Sequence, residues 1–190
     1  WKISCGMKWP TDISSAPGQP DQHLRFDEGF DQVSRVTKEA MMKWITRERP
    51  KIDRIACPWL ILRFIDHDAE FLYVPASEVL AIAEKTGAIP YDIPGVEFSH
   101  VGEQCSFYAF LAKYQLTEPA LVQLANIVRG ADTSRLELTP QSAGLYAISL
   151  GLSRMFVDDH EMLRHGLVMY DALYAWNREG QDETHNWPPA

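Results

Sequence analysis

The chain has 190 residues, 26 acidic and 18 basic, and a formal net charge of −8. With 46% hydrophobic and 23% charged residues it has the composition of a folded domain, which excludes a disordered chain. The acidic balance argues against a generalised nucleic-acid-binding surface, and no apolar run approaches the ~20 residues of a membrane span.

Residues 1–34 are rich in Pro, Gly, Asp and Ser and read as an irregular arm. The chain opens Trp1-Lys2-Ile3-Ser4-Cys5-Gly6, without an initiator Met or an apolar h-region. No signal peptide is therefore read, and Trp1 is not expected to be the native start. Residues 35–179 read as one helical domain, and 180–190 as an extended tail ending in Pro-Pro-Ala. Three cysteines, Cys5, Cys57 and Cys105, with no C-x-x-C spacing, predict free thiols and a cytoplasmic protein.

Ser34 to Arg47 carries Val36, Ala40, Met41, Trp44 and Ile45 at roughly helical spacing and predicts a helix that Pro50 ends. Cys57-Pro58 predicts the start of a second helix, with Pro58 in the first turn. Its residues Trp59 to Ile65 are apolar nearly all round apart from Arg63, so it should lie deep in the core. Glu70–Val74 predicts a strand. Ser77 is placed to cap a helix that Gly87 stops. Pro90 to Gly95 reads as a turn-rich connection, and Val96–His100 alternates as a second strand would.

Four more helices follow: Phe107–Tyr114 capped by Ser106, Pro119 to near Gly130, Thr139-Pro140 to about Phe156, and Asp158 or Asp159 to about Arg178. The fold class is α+β and predominantly helical, with about seven helices and two or three short strands. The strands are too few and scattered for a doubly wound sheet.

The segment Arg49-Pro50-Lys51-Ile52-Asp53-Arg54-Ile55-Ala56-Cys57-Pro58-Trp59-Leu60, followed by Arg63-Phe64-Ile65-Asp66, resembles the C-terminal domain of the ChrB-type chromate resistance proteins. Three further segments fit in the same order: His100-x-Gly102-Glu103-x-Cys105-Ser106-Phe107, Ile127-Val128-Arg129-Gly130-Ala131-Asp132, and Tyr170-Asp171-Ala172-Leu173-Tyr174. Together they cover about residues 45 to 178. The resemblance implies a role in chromate resistance. In that family the domain often follows an N-terminal regulatory domain, for which the arm before residue 45 is too short. Direct nucleic-acid binding is therefore not expected of this chain. Some relatives carry a His where this sequence has Arg129; were that His a metal ligand, its loss here would weaken the metal reading.

Two chemistries compete. Chromate is a tetrahedral dianion and needs fixed cations. Arg54 and Arg63 are the candidates, with Asp53 or Asp66 as the acidic partner that a buried Arg63 would require. An internal Arg–Asp tie is the plain structural alternative. The second chemistry is metal binding. His100, Asp132 and Asp171, with Glu103 nearby, form a mixed nitrogen and oxygen set suited to zinc, iron or manganese. Asp171 draws attention because it sits in an apolar stretch, where an acid must be paired or bound.

Secondary candidates are Cys57, Cys105, His160, Glu161 and His165. Glu161 and His165 share a helical face, whereas His160 lies on the Asp171 side, about 16 Å from it along the axis. Cys57 at a helix N-terminus would have a lowered pKa, which invites a redox reading, although burial is simpler. The expected function is a cytoplasmic domain binding a metal ion or an oxyanion between helices. The alternative is a hydrolytic or redox metalloenzyme. Expected partners are a small anion or metal ion and no membrane, with a homo-oligomer left open.

Overall fold

The computed structural model describes residues 42–184. The predicted arm, the start of the first predicted helix and the end of the tail lie outside them. The described fold is α+β and predominantly helical, with six α-helices and one three-stranded sheet.

The first departure from expectation is at Lys43–Arg47, which is strand β1 and not the end of a helix. It is the central strand of a parallel sheet, flanked by β2 (Glu70–Val74) and β3 (Ile89–Pro90). Trp44 pairs with Phe71 and Ile89, and Ile45 with Leu72 and Pro90. Trp44 points into the main core. Ile45 packs in a second cluster with Val79, Ala83, Ala88 and Ile93. A central parallel strand covered on both faces shows no apolar–polar alternation, so period alone misreads it.

Helix α1 (Asp53–Phe64) begins four residues before the predicted Cys57-Pro58 start, and Pro58 lies inside it. Proline has no N–H for the carbonyl four residues back, which is that of Arg54. The Tyr73 hydroxyl approaches this carbonyl at 3.4 Å. As expected, α1 is core: Ile55, Trp59, Leu60 and Ile61 are fully buried.

Helix α2 (Val79–Thr86) ends at Gly87, whose φ of 71° suits a residue without Cβ. It begins at Glu78 without a side-chain cap, so Ser77 does not cap it. The predicted strand at Val96–His100 is an irregular loop, tied by one bridge between Tyr91 and Phe98.

The other helices follow the predicted order. They are α3 (Ser106–Lys113), α4 (Pro119–Asp132), α5 (Pro140–Met155) and α6 (Asp159–Ala175). Helix α3 starts at Ser106, with Cys105 as the flanking residue. Pro119 and Pro140 occupy first turns, and the Thr139 and Asp158 side chains accept from the backbone N–H groups of Ser142 and Glu161. A 3-10 turn (Leu136–Leu138) joins α4 to α5, and a π turn (Trp176–Gly180) follows α6. Gly166 lets α6 close on α1, since a Cβ there would overlap the Ile55 side chain. None of the described helices is long and apolar enough to cross a membrane.

Candidate metal centre

Four separate pieces of chain meet beside the N-termini of α1 and α3. Asp53 is the first residue of α1 and is fully buried. Asp132 is the last residue of α4, and His100 hangs from the loop before α3. The His100 Nε2 lies 3.1 Å from Asp132 Oδ2, 3.3 Å from Asp92 Oδ1 and 3.7 Å from Asp53 Oδ2. One donor atom each from Asp53, His100 and Asp132 falls within 4.8 Å of the others, close enough to share one ion.

The backbone fixes this grouping. Ser106 opens α3, where the first N–H groups have no partner within the helix. Its N–H donates to Asp53 Oδ2 at 2.5 Å and its hydroxyl to Asp92 Oδ1 at 2.9 Å. Asp53 thus caps a helix other than its own. The second Asp53 oxygen, Oδ1, is buried with no hydrogen-bond partner. A buried carboxylate oxygen without a partner is costly; the Cys105 thiol hydrogen-bonds the same side chain.

The electrostatics follow from the geometry. Burial, then the charges of Asp132 and Asp92, push the Asp53 carboxyl well above its ordinary range. Hydrogen bonds to Asp132 and Asp92 raise His100 to about 10, against the opposing effect of burial. Burial would also raise Asp92, but hydrogen bonds from His100 and Ser106 and the charges of Arg47 and Arg54 hold it below its ordinary value.

Asp92 is gripped most. Arg47 Nη2 donates to its Oδ2 and to its carbonyl, both at 2.9 Å, and Arg54 Nε lies 3.3 Å from Oδ2. Its backbone has a φ of 52°, a conformation that Asp tolerates better than most residues.

Arg54, expected to bind an anion, is thus beside the centre but already engaged. Its Nη1 also donates to the carbonyls of Arg47 and Glu48, at 3.2 and 2.9 Å. Arg63 lies elsewhere. It is half-exposed and pairs with neither Asp53 nor Asp66. Its Nε and Nη2 donate to Asp171 at 3.0 and 2.9 Å, and the Trp59 indole donates to the same carboxylate at 2.7 Å. Burial raises Asp171, but the Arg63 and Trp59 hydrogen bonds outweigh it and leave the carboxyl below its ordinary value. The structure therefore does not bring Asp171 to His100 and Asp132.

Glu103 is exposed and pairs with Arg135 at 3.4 Å. His160 meets the Tyr73 ring edge-on, and His165 stacks on Phe156 at 4.4 Å. Glu161 sits in the first turn of α6 beside its cap. Cys57 is inside α1 and not at its N-terminus, and burial pushes its thiol well up. Burial does the same to Cys105. Neither is an activated thiolate.

Sequence reasoning missed Asp92, Arg47 and Ser106 as parts of the centre. Asp92 lies in Pro90-Tyr91-Asp92-Ile93-Pro94-Gly95, where the prolines and glycine signal a turn and mask the acid.

The sequence profile of the family described as ChrB, C-terminal domain, matches residues 44–177. Protein ChrB of Cupriavidus metallidurans is 31% identical over 165 residues, covering 86% of this chain and 48% of the relative. The chain spans about half the length of that curated protein. No solved structure matches it.

Proposed function

Since the chain belongs to the ChrB family, through its C-terminal domain, we propose that it is a cytoplasmic chromate-resistance domain whose Asp53–His100–Asp132 centre binds a divalent first-row metal ion. The observation that carries this reading is the convergence of two carboxylates on one imidazole nitrogen, with a buried Asp53 oxygen left unpartnered. One nitrogen and several oxygen donors suit manganese or iron, and zinc is compatible.

The same residues disfavour an oxyanion at this point. A dianion would meet Asp53, Asp92 and Asp132, while Arg47 and Arg54 are turned onto Asp92. Arg63 neutralises Asp171 and adds no free cation.

The test is elemental mass spectrometry on untagged wild type and His100→Ala. The expected result is near-stoichiometric metal in wild type and its loss in the variant. Wild type that takes up no manganese, iron or zinc would overturn the reading.

A metal-dependent enzyme is the second reading. It is favoured by the exposure of His100, whose side chain is 41% accessible. Catalytic sites keep an open position, and a bound metal there would supply an activated water or a redox couple. Asp53 and Asp132 would hold and orient, and His100 would set the open side.

A further inference from the structure

We propose that Asp92 determines the specificity of this centre: by holding Arg47 and Arg54 on its outer oxygen, it reserves the Asp53–His100–Asp132 cluster for a cation and denies it to oxyanions. The inference rests on the metal reading above and adds a residue outside the three donors.

Asp92 faces two ways. Its Oδ1 takes the Ser106 hydroxyl at 2.9 Å and lies 3.3 Å from His100 Nε2. Its Oδ2 meets Arg47 Nη2 at 2.9 Å and Arg54 Nε at 3.3 Å. The carboxylate therefore stands between two guanidiniums and the imidazole. It is buried, so water screens these charges little.

The formal charges show what its removal would do. With Asp92 present, three carboxylates face the two guanidiniums of Arg47 and Arg54. Without it, two carboxylates face the same cations. The excess of negative charge disappears, and the two guanidiniums lose the charged partner that neutralises them. Arginine forks are suited to tetrahedral oxyanions once freed. One side chain thus decides between the two ligand classes that the sequence leaves open.

The fold tolerates the test. Arg47 keeps its bond to the Asp92 carbonyl, and Arg54 keeps its bonds to the Arg47 and Glu48 carbonyls. Asn accepts a left-handed backbone as readily as Asp, so Asp92→Asn removes charge without backbone strain.

Manganese affinity is measured by calorimetry on wild type and Asp92→Asn, and sulfate, a tetrahedral dianion that does not oxidise thiols, is titrated against each by thermal melting. The expected result is a tenfold or greater loss of manganese affinity, in the ~10–100-fold range of an outer-shell change. Sulfate should stabilise Asp92→Asn and not wild type. A folded Asp92→Asn that binds manganese as tightly as wild type, or that ignores sulfate, would overturn the proposal.

Arg54→Gln provides a second variant with the opposite sign. It leaves Asp92 less neutralised and should bind manganese several-fold tighter, and equal or weaker binding counts against the proposal. Should wild type bind no manganese, iron or zinc, the metal reading falls, while the sulfate comparison still decides the role of Asp92. A response in Asp92→Asn alone supports it, and a response in both proteins or neither overturns it.

Discussion

Asp53 and Asp171 are both acids in apolar helices, and the structure treats them in opposite ways. Asp171 receives two N–H groups from Arg63 and one from Trp59, so its charge is answered and its carboxyl titrates low. Asp53 receives one N–H from Ser106, keeps a buried oxygen without a partner, and sits near two more carboxylates. The first is a closed tie between α1 and α6. The second is an arrangement that a cation would complete. Burial alone does not separate the two acids: the unpartnered oxygen of Asp53 does.

The sharpest way to break this contrast is Asp53→Asn. It should lower metal affinity more than about 100-fold, because a ligand is lost and not an outer-shell contact. The metal-free variant should melt at or above wild type, because a buried charge among like charges is removed. Calorimetry and thermal melting check both halves. A variant that melts well below wild type would show that Asp53 is a structural acid after all.

Asp171→Ala should do the reverse. Metal content should stay at the wild-type level, while urea unfolding shows a loss of about 1 kcal/mol. The loss is modest because both partners are half-exposed and solvent screens the pair. A drop in bound metal would place Asp171 in the centre and erase the contrast.

The Asp171 pair also has a pH signature. Its carboxyl titrates lower in the folded chain than its ordinary value of 3.8. The pair therefore adds stability above that value, and the contribution disappears as pH falls through the depressed native value. The stability difference between wild type and Asp171→Asn should be constant at neutral pH and shrink steadily below about pH 4. A difference that grows with acid would reverse the sign.

The smallest effect is expected at Glu103→Ala. Its pair with Arg135 is exposed, so stability should change by less than about 0.5 kcal/mol and metal content not at all. Loss of metal in this variant would extend the centre into the loop after His100.

Most helices were legible in the sequence because their signals are local. Pro119 and Pro140 start α4 and α5, Thr139 and Asp158 cap α5 and α6, and Gly87 stops α2. The errors have one kind of cause. The spacing of Trp44 and Ile45 predicts a helix, but β1 is strand because β2 and β3 flank it and side chains cover both its faces. Pro58 by itself predicts a helix start, although α1 is already under way from Asp53. In the centre, His100 and Asp132 stand out by type and position, whereas Asp53 reads, beside Asp66, as one of two candidate partners for Arg63, and Asp92 lies in a turn-rich segment. No local pattern shows that four residues spread between positions 53 and 132 converge on one point.

The sequence by itself determined the class of the fold, the order of the later helices and the ChrB family membership, because caps, breakers and family motifs act over a few residues. The tertiary structure alone decided which acids are answered and which are not. Arg63 met Asp171, Arg47 and Arg54 met Asp92, and Asp53 was left facing His100 and Asp132. Charge pairing acts over a few ångströms of space, and only the packed chain sets those distances.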